Sequence, residues 1–99
     1  MNRYQATILW RHLKGNFANN TYSREHSWHF DGGLEVPASA SPHEVPEPYS
    51  NPSAVDPEEA FIASVSSCHM LWFLSLVAKK GFVISKYQDQ AEGLLQENQ

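Results

Sequence analysis

The chain is poor in the residues that most narrow a function. One cysteine, Cys68, stands among 99 residues, so no disulfide can close within the chain, and a lone thiol fits a reducing, cytoplasmic setting. Basic charge is scarce as well. Seven Lys+Arg face eleven Asp+Glu, a formal charge of −4, and without a basic cluster the phosphate-neutralising surface that nucleic-acid binding needs is missing. The N-terminus has no apolar signal-peptide run, and no glycine-rich phosphate loop or internal repeat is present. Proline is confined to six positions between Pro37 and Pro57.

What is there is segmented. From residue 31 to 67 there is no Lys or Arg, while Asp31, Glu35, Glu44, Glu47, Asp56, Glu58 and Glu59 all fall in that stretch. Residues 37–56 read as an extended, irregular proline-rich loop, because proline fixes φ and lacks a donor. The alternative is a disordered linker. Before it, residues 4–13 read as a strand with Tyr4, Ala6, Ile8, Trp10 and His12 on one face. KGNFANN supplies turn chemistry, residues 22–31 read as a second strand closed by Gly32-Gly33, and a short strand 34–38 follows. The strongest helix signal covers 57–80: Asp56 suits the N-cap, Pro57 the first turn, Glu59 the capping box, and Lys79, Lys80 and Gly81 the stop. A final strand is expected over 82–95. The pattern predicts an α+β fold in one domain, an antiparallel sheet with a long apolar helix.

Between Ala60 and Ala78 the helix has no Asp, Glu, Lys or Arg. A transmembrane span has this composition, but Ser64, Ser66, Ser67, His69 and Ser75 interrupt it. A helix apolar all round suits the buried centre of a fold or of a dimer.

Cys68 lies inside that helix, where a cysteine is commonly inert packing. Three features make it a candidate nucleophile. Serines crowd the positions before it, and a helix break at Ser66-Ser67 would put Cys68 in a first turn, where the orphan N–H groups favour thiolate. Strand parity places Tyr22, Arg24, His26, Trp28 and Phe30 on one face, so Arg24 either snorkels to water or finds an anionic partner. Glu58 precedes Cys68 by ten residues, about 15 Å along a straight helix, too far for direct contact. It could serve the helix dipole alone, or share a site through Arg24, a bend or a second subunit. His26 and His29 point to opposite strand faces, so a zinc site has no local support.

These residues carry a resemblance. VDPEEAFIASVSSCHMLWFLSLVAKKGF is similar to the helix of the OsmC/Ohr family of thiol-dependent peroxidases, with Asp56-Pro57-Glu58 and Cys68 at the family's spacing. The flanking YSREHSWHFDGGLEVPASASPHEVPEPYSNP and YQDQAEG resemble neighbouring family segments, so the likeness covers nearly all of residues 1–99. It implies an OsmC-like fold in an intertwined homodimer. It also implies reduction of organic hydroperoxides through a sulfenic acid, an antioxidant stress-response activity.

By the same resemblance Cys68 is the peroxidatic cysteine, Glu58 the carboxylate that holds a catalytic arginine, and Arg24 that arginine, with Arg11 as the alternative. Trp28, Phe30, Met70 and Trp72, with Phe73, would line an apolar pocket for a fatty or aryl hydroperoxide. No metal or other cofactor and no membrane or nucleic-acid partner is implied. Family members continue with further strands, another helix and a resolving second cysteine. These 99 residues therefore correspond to the N-terminal portion of the family fold, and turnover calls for an external thiol of the dihydrolipoamide or glutathione type. The competing expectation is a non-catalytic dimeric module, or an inactive truncated form, in which Cys68 is a core residue.

Overall fold

The computed structural model describes residues 1–96; the last three positions of the 1–99 domain lie outside the described residues. The elements are β1 (Ala6–Leu9), β2 (Gly15–Asn16), β3 (Thr21–Tyr22), β4 (His26–Phe30), β5 (Glu35–Ala38) and α1 (Pro57–Lys79). They are α+β with antiparallel strand pairing and one long helix, as expected. They fall into two compact units, 1–57 and 58–99.

In the first unit, β4 is the central strand of a three-stranded antiparallel sheet ordered β1-β4-β5. Ile8 stands opposite Trp28, and Trp28 in turn opposite Val36. The β4–β5 turn bonds Gly33 N–H to Phe30 O at 3.0 Å and Phe30 N–H to Leu34 O at 2.9 Å, with Gly33 at φ 97°. A left-handed residue at that place is what this hairpin loop needs, and glycine takes it without penalty.

The two long strands expected from periodicity are shorter, and local hydrogen bonds explain why. The first ends at Leu9: Trp10 turns away to give its indole N–H to Ser23 O at 2.9 Å and to stack with His12. The second is split. Tyr22 belongs to a separate two-stranded ribbon with Gly15, and Arg24 N–H leaves the ladder for Tyr49 O at 2.8 Å. In the ribbon Gly15 has no substitute, since a Cβ there would lie 1.9 Å from Thr21 O, and its φ is 85°.

The proline-rich loop is irregular, as its prolines require, but it is not a free linker. It holds the best-buried residues described: Ala38, Ser39, Ser41 and Ser50. Buried hydroxyls are expensive unless paired, and each of these is paired. Ser39 Oγ accepts from Asn51 N–H at 3.0 Å, Ser41 Oγ from His43 N–H at 3.2 Å, and Ser50 Oγ donates to Val45 O at 2.7 Å. Ser39 N–H and Val55 N–H close a parallel bridge back onto β5. Pro37 sits within β5, an edge strand of the sheet, which is where a sheet tolerates proline.

Helix α1, in the second unit from Glu58 onward, runs unbroken from Pro57 to Lys79. The break expected at Ser66-Ser67 does not occur. Ser64 instead donates back to Phe61 O at 2.8 Å, a bond that seats serine inside a helix, and Ser66 donates to Asp89 Oδ2 at 2.6 Å. Cys68 is therefore mid-helix, without the unpaired N–H groups of a first turn. The C-terminus is a Schellman cap: Phe82 N–H bonds Val77 O and Gly81 N–H bonds Ala78 O, with Gly81 at φ 85°.

The strand expected over 82–95 is absent. That segment runs back along α1 instead. Tyr87 meets Phe73 at 5.9 Å between ring centroids, Asp89 meets Ser66, and Gly93 lies against Ile62. Its sequence has the apolar residues of a strand, but a helix offers no edge to pair with, and an unpaired strand is not a ladder.

Candidate functional site

The proposed site residues are divided between the two units, and each half has its own geometry. In the first, Arg24 is half-buried just before β4. Its backbone is fixed on both sides. The N–H goes to Tyr49 O, and the carbonyl receives His26 Nδ1–H at 2.8 Å. The tautomer follows from the next bond: Trp28 Nε1–H, which can only donate, reaches His26 Nε2 at 3.0 Å. His26 and Trp28 thus hold the main chain of Arg24.

The guanidinium has its own cradle. Nη2 donates to Asn20 Oδ1 at 2.8 Å, and Nη1 donates to Asn20 O at 3.4 Å and to Tyr22 O. Its carbon sits 3.6 Å from the Tyr22 ring centroid, a cation–π contact. Sequence reasoning offered water or an anion as the partner of Arg24. The partners just named are neutral oxygens and an aromatic face. Asn20 reaches that position at φ 66°, in the left-handed region that asparagine tolerates better than most residues.

Beside this cradle lies a cavity of about 320 Å³, walled by Trp10, Phe17, Tyr22, Arg24, His26 and Ser39 among others. The Phe17 and Tyr22 rings are 4.8 Å apart, and Trp10 meets Tyr22 edge-on at 5.5 Å. Trp28, half-buried, and Phe30, exposed, are not among its walls. Asn20, Tyr22, Trp10 and Phe17 went unnoticed as site residues in the sequence. The signal available was the Asn-x-Tyr-x-Arg spacing, in which Asn20 read as turn chemistry and Tyr22 and Arg24 as strand. Arg11, the alternative arginine, is exposed and outside any strand.

The second half lies on α1. Glu58 and Cys68 are both exposed, and the helix rise separates them by about 15 Å, so they do not meet within α1. At about 100° per residue, Trp72 and Leu71 lie one turn beyond Cys68 on the same side, and Phe61 and Val65 lie before it. All four are exposed. Ile62, Ser66 and Phe73, which the returning segment touches, fall on the opposite side. Met70, half-buried, lies toward that covered side. Cys68 therefore occupies the middle of an uncovered apolar stripe. No cluster of three or more His, Cys, Asp or Glu suited to a metal exists among the described residues.

No family model and no curated protein matches the chain. Among solved structures, it is similar to an OsmC-like protein of unknown function from Vibrio cholerae, with 49% identity and a TM-score of 0.95. The match covers 100% of this chain and 65% of that one, so the chain spans a little under two thirds of its relative. Identity of this level over every residue, with the same course of the backbone, settles the kinship: the chain belongs to the OsmC-like family.

Proposed function

We propose that the chain provides the thiol centre of a peroxidase acting on organic hydroperoxides, with Cys68 as the reacting residue. The observation that carries this reading is the exposed thiol on an unbroken helix, ten residues after the Asp56-Pro57-Glu58 start, in a member of the OsmC-like family. The Cys68 thiolate attacks the distal oxygen of the hydroperoxide. The O–O bond breaks, a sulfenic acid forms on Cys68, and the alkoxide takes a proton and leaves as the alcohol. One external thiol then displaces water to give a mixed disulfide, and a second releases Cys68 and completes its own disulfide. A dithiol such as dihydrolipoamide supplies both.

In this reading Arg24 stabilises the thiolate and the developing alkoxide charge, and Glu58 orients its guanidinium. The Asn20–Tyr22 cradle suits that role because it fixes the guanidinium through neutral oxygens and a ring, adding no negative charge of its own beside the thiolate. The bare stripe around Cys68 calls for a covering surface, and a second copy of the chain in a homodimer supplies it. Length and composition also allow α1 to cross a membrane. The Asp89 carboxylate hydrogen-bonded at mid-helix level argues for a protein partner instead, since an ionisable group is costly in lipid.

The test is consumption of cumene hydroperoxide with dihydrolipoamide as reductant. The parent chain turns over, Cys68→Ser does not, and Arg24→Met slows the oxidation of Cys68. Equal consumption by the parent chain and Cys68→Ser excludes the peroxidase reading. A parent chain that is dimeric but inert supports the non-catalytic module.

A further inference from the structure

The sheet has a second face that the peroxidase reading does not use. Ser27 and His29 are two apart on β4, so both side chains project to the side opposite His26 and Trp28. Glu35 on β5 stands directly opposite His29 in the register. The three side chains form one chain of hydrogen bonds. Ser27 Oγ lies 2.7 Å from His29 Nε2, and His29 Nδ1 lies 2.9 Å from Glu35 Oε1. A carboxylate only accepts, so Nδ1 carries the proton and Nε2 is free to accept from the serine hydroxyl.

That is the order and tautomer of an acid–base relay on a nucleophilic serine, which is recognised by geometry and roles rather than by sequence position. Ser27 and His29 are half-buried rather than enclosed, and Glu35 is exposed. The register also sets Leu9 and Pro37 on either side of Ser27, two apolar flanks that suit a short acyl or aryl group.

We propose that Ser27, His29 and Glu35 form a second reactive site, independent of Cys68, that is acylated by small activated carboxylic esters. Ser27 Oγ attacks the acyl carbon as its proton passes to His29 Nε2. The bond to the leaving oxygen breaks, that proton leaves with the phenol or alcohol, and an acyl-serine remains. Water attacks in turn, with His29 again as base, and releases the carboxylic acid. The ladder also sets a limit. β4 is the central strand, so its N–H groups are spent on β1 and β5 and offer no backbone oxyanion hole. Esters with good leaving groups are therefore the substrates, and turnover is slow.

The experiment treats the 99-residue chain with p-nitrophenyl acetate and, separately, with a fluorophosphonate probe, followed by peptide mapping. Acetyl and phosphonyl groups are expected on Ser27, on a peptide distinct from that of Cys68. His29→Gln is expected to slow Ser27 labelling by about 10²-fold or more, the scale of general-base assistance. Glu35→Gln, which can still accept from Nδ1, is expected to slow it less. Circular dichroism of each variant confirms that the strands persist. Absence of a Ser27 adduct in the parent chain overturns the proposal, as does a labelling rate unchanged in folded His29→Gln. If His29→Gln fails to fold, an unchanged rate in folded Glu35→Gln overturns it, and a slowed one sustains it.

Discussion

The proline-rich loop and helix α1 reverse the usual relation between composition and burial. The loop, built of serine, proline and acidic residues, contains Ser39 at 0% exposure with Ser41 and Ser50 close behind. The helix is among the most apolar stretches of the chain, yet none of its residues is buried. The difference lies in what each can complete alone. A loop that folds back on itself satisfies its hydroxyls and amides with its own backbone, so its burial is local. An apolar helix face has nothing to pair with except another apolar surface, and the returning 82–95 segment covers one side only. The first region is finished within the chain; the second leaves an apolar stripe bare, with Cys68 in its middle.

Substitutions can break this comparison from either side. The largest effect is expected where a close backbone approach holds the first unit together. Gly15→Ala puts a Cβ where Thr21 O lies and forces a left-handed φ on alanine, so unfolding stability should fall by about 3 kcal/mol or more, read from the urea midpoint. On the helix, Leu71→Glu removes a bare apolar residue next to Cys68. The proposed dimer should weaken by about 2 kcal/mol, some thirtyfold in dissociation constant, by analytical ultracentrifugation, with the helical circular dichroism of the chain unchanged. A Leu71→Glu chain that dimerises as tightly as the parent would show that this stripe is not the interface.

Ser39→Ala strips the acceptor from Asn51 N–H inside the loop, with an expected loss of about 1–3 kcal/mol by denaturant titration. If it is neutral, the loop's burial does not stabilise the unit. The smallest change comes at the helix end. Gly81→Ala meets no neighbouring atom, so only its left-handed φ is penalised, by about 1 kcal/mol in thermal unfolding.

The helix was readable because its signals are local: Asp56, Pro57, Glu59, Lys79 and Gly81 mark its ends by chemistry that acts within a turn. Its Glu58–Cys68 spacing was readable for the same reason. The strands were legible only in part. Periodicity shows which face a residue takes, but not that Arg24 leaves the ladder for Tyr49, nor that 82–95 has no strand edge beside it. Ser39 and Ser41 gave no hint of burial, because serine reads as solvent-facing until its partner, here Asn51 or His43, is known. The cradle of Arg24 was hidden likewise. Its ligands are carbonyl oxygens and a ring, and no charge pattern advertises them.

The central claim is that Cys68 is a reactive peroxidatic thiol. It is tested most directly by treating the full chain with one equivalent of cumene hydroperoxide in the presence of dimedone and mapping the adduct by mass spectrometry. The account predicts stoichiometric dimedone addition at Cys68, slowed in Arg24→Met. An unmodified Cys68 thiol after the hydroperoxide has been offered would contradict it.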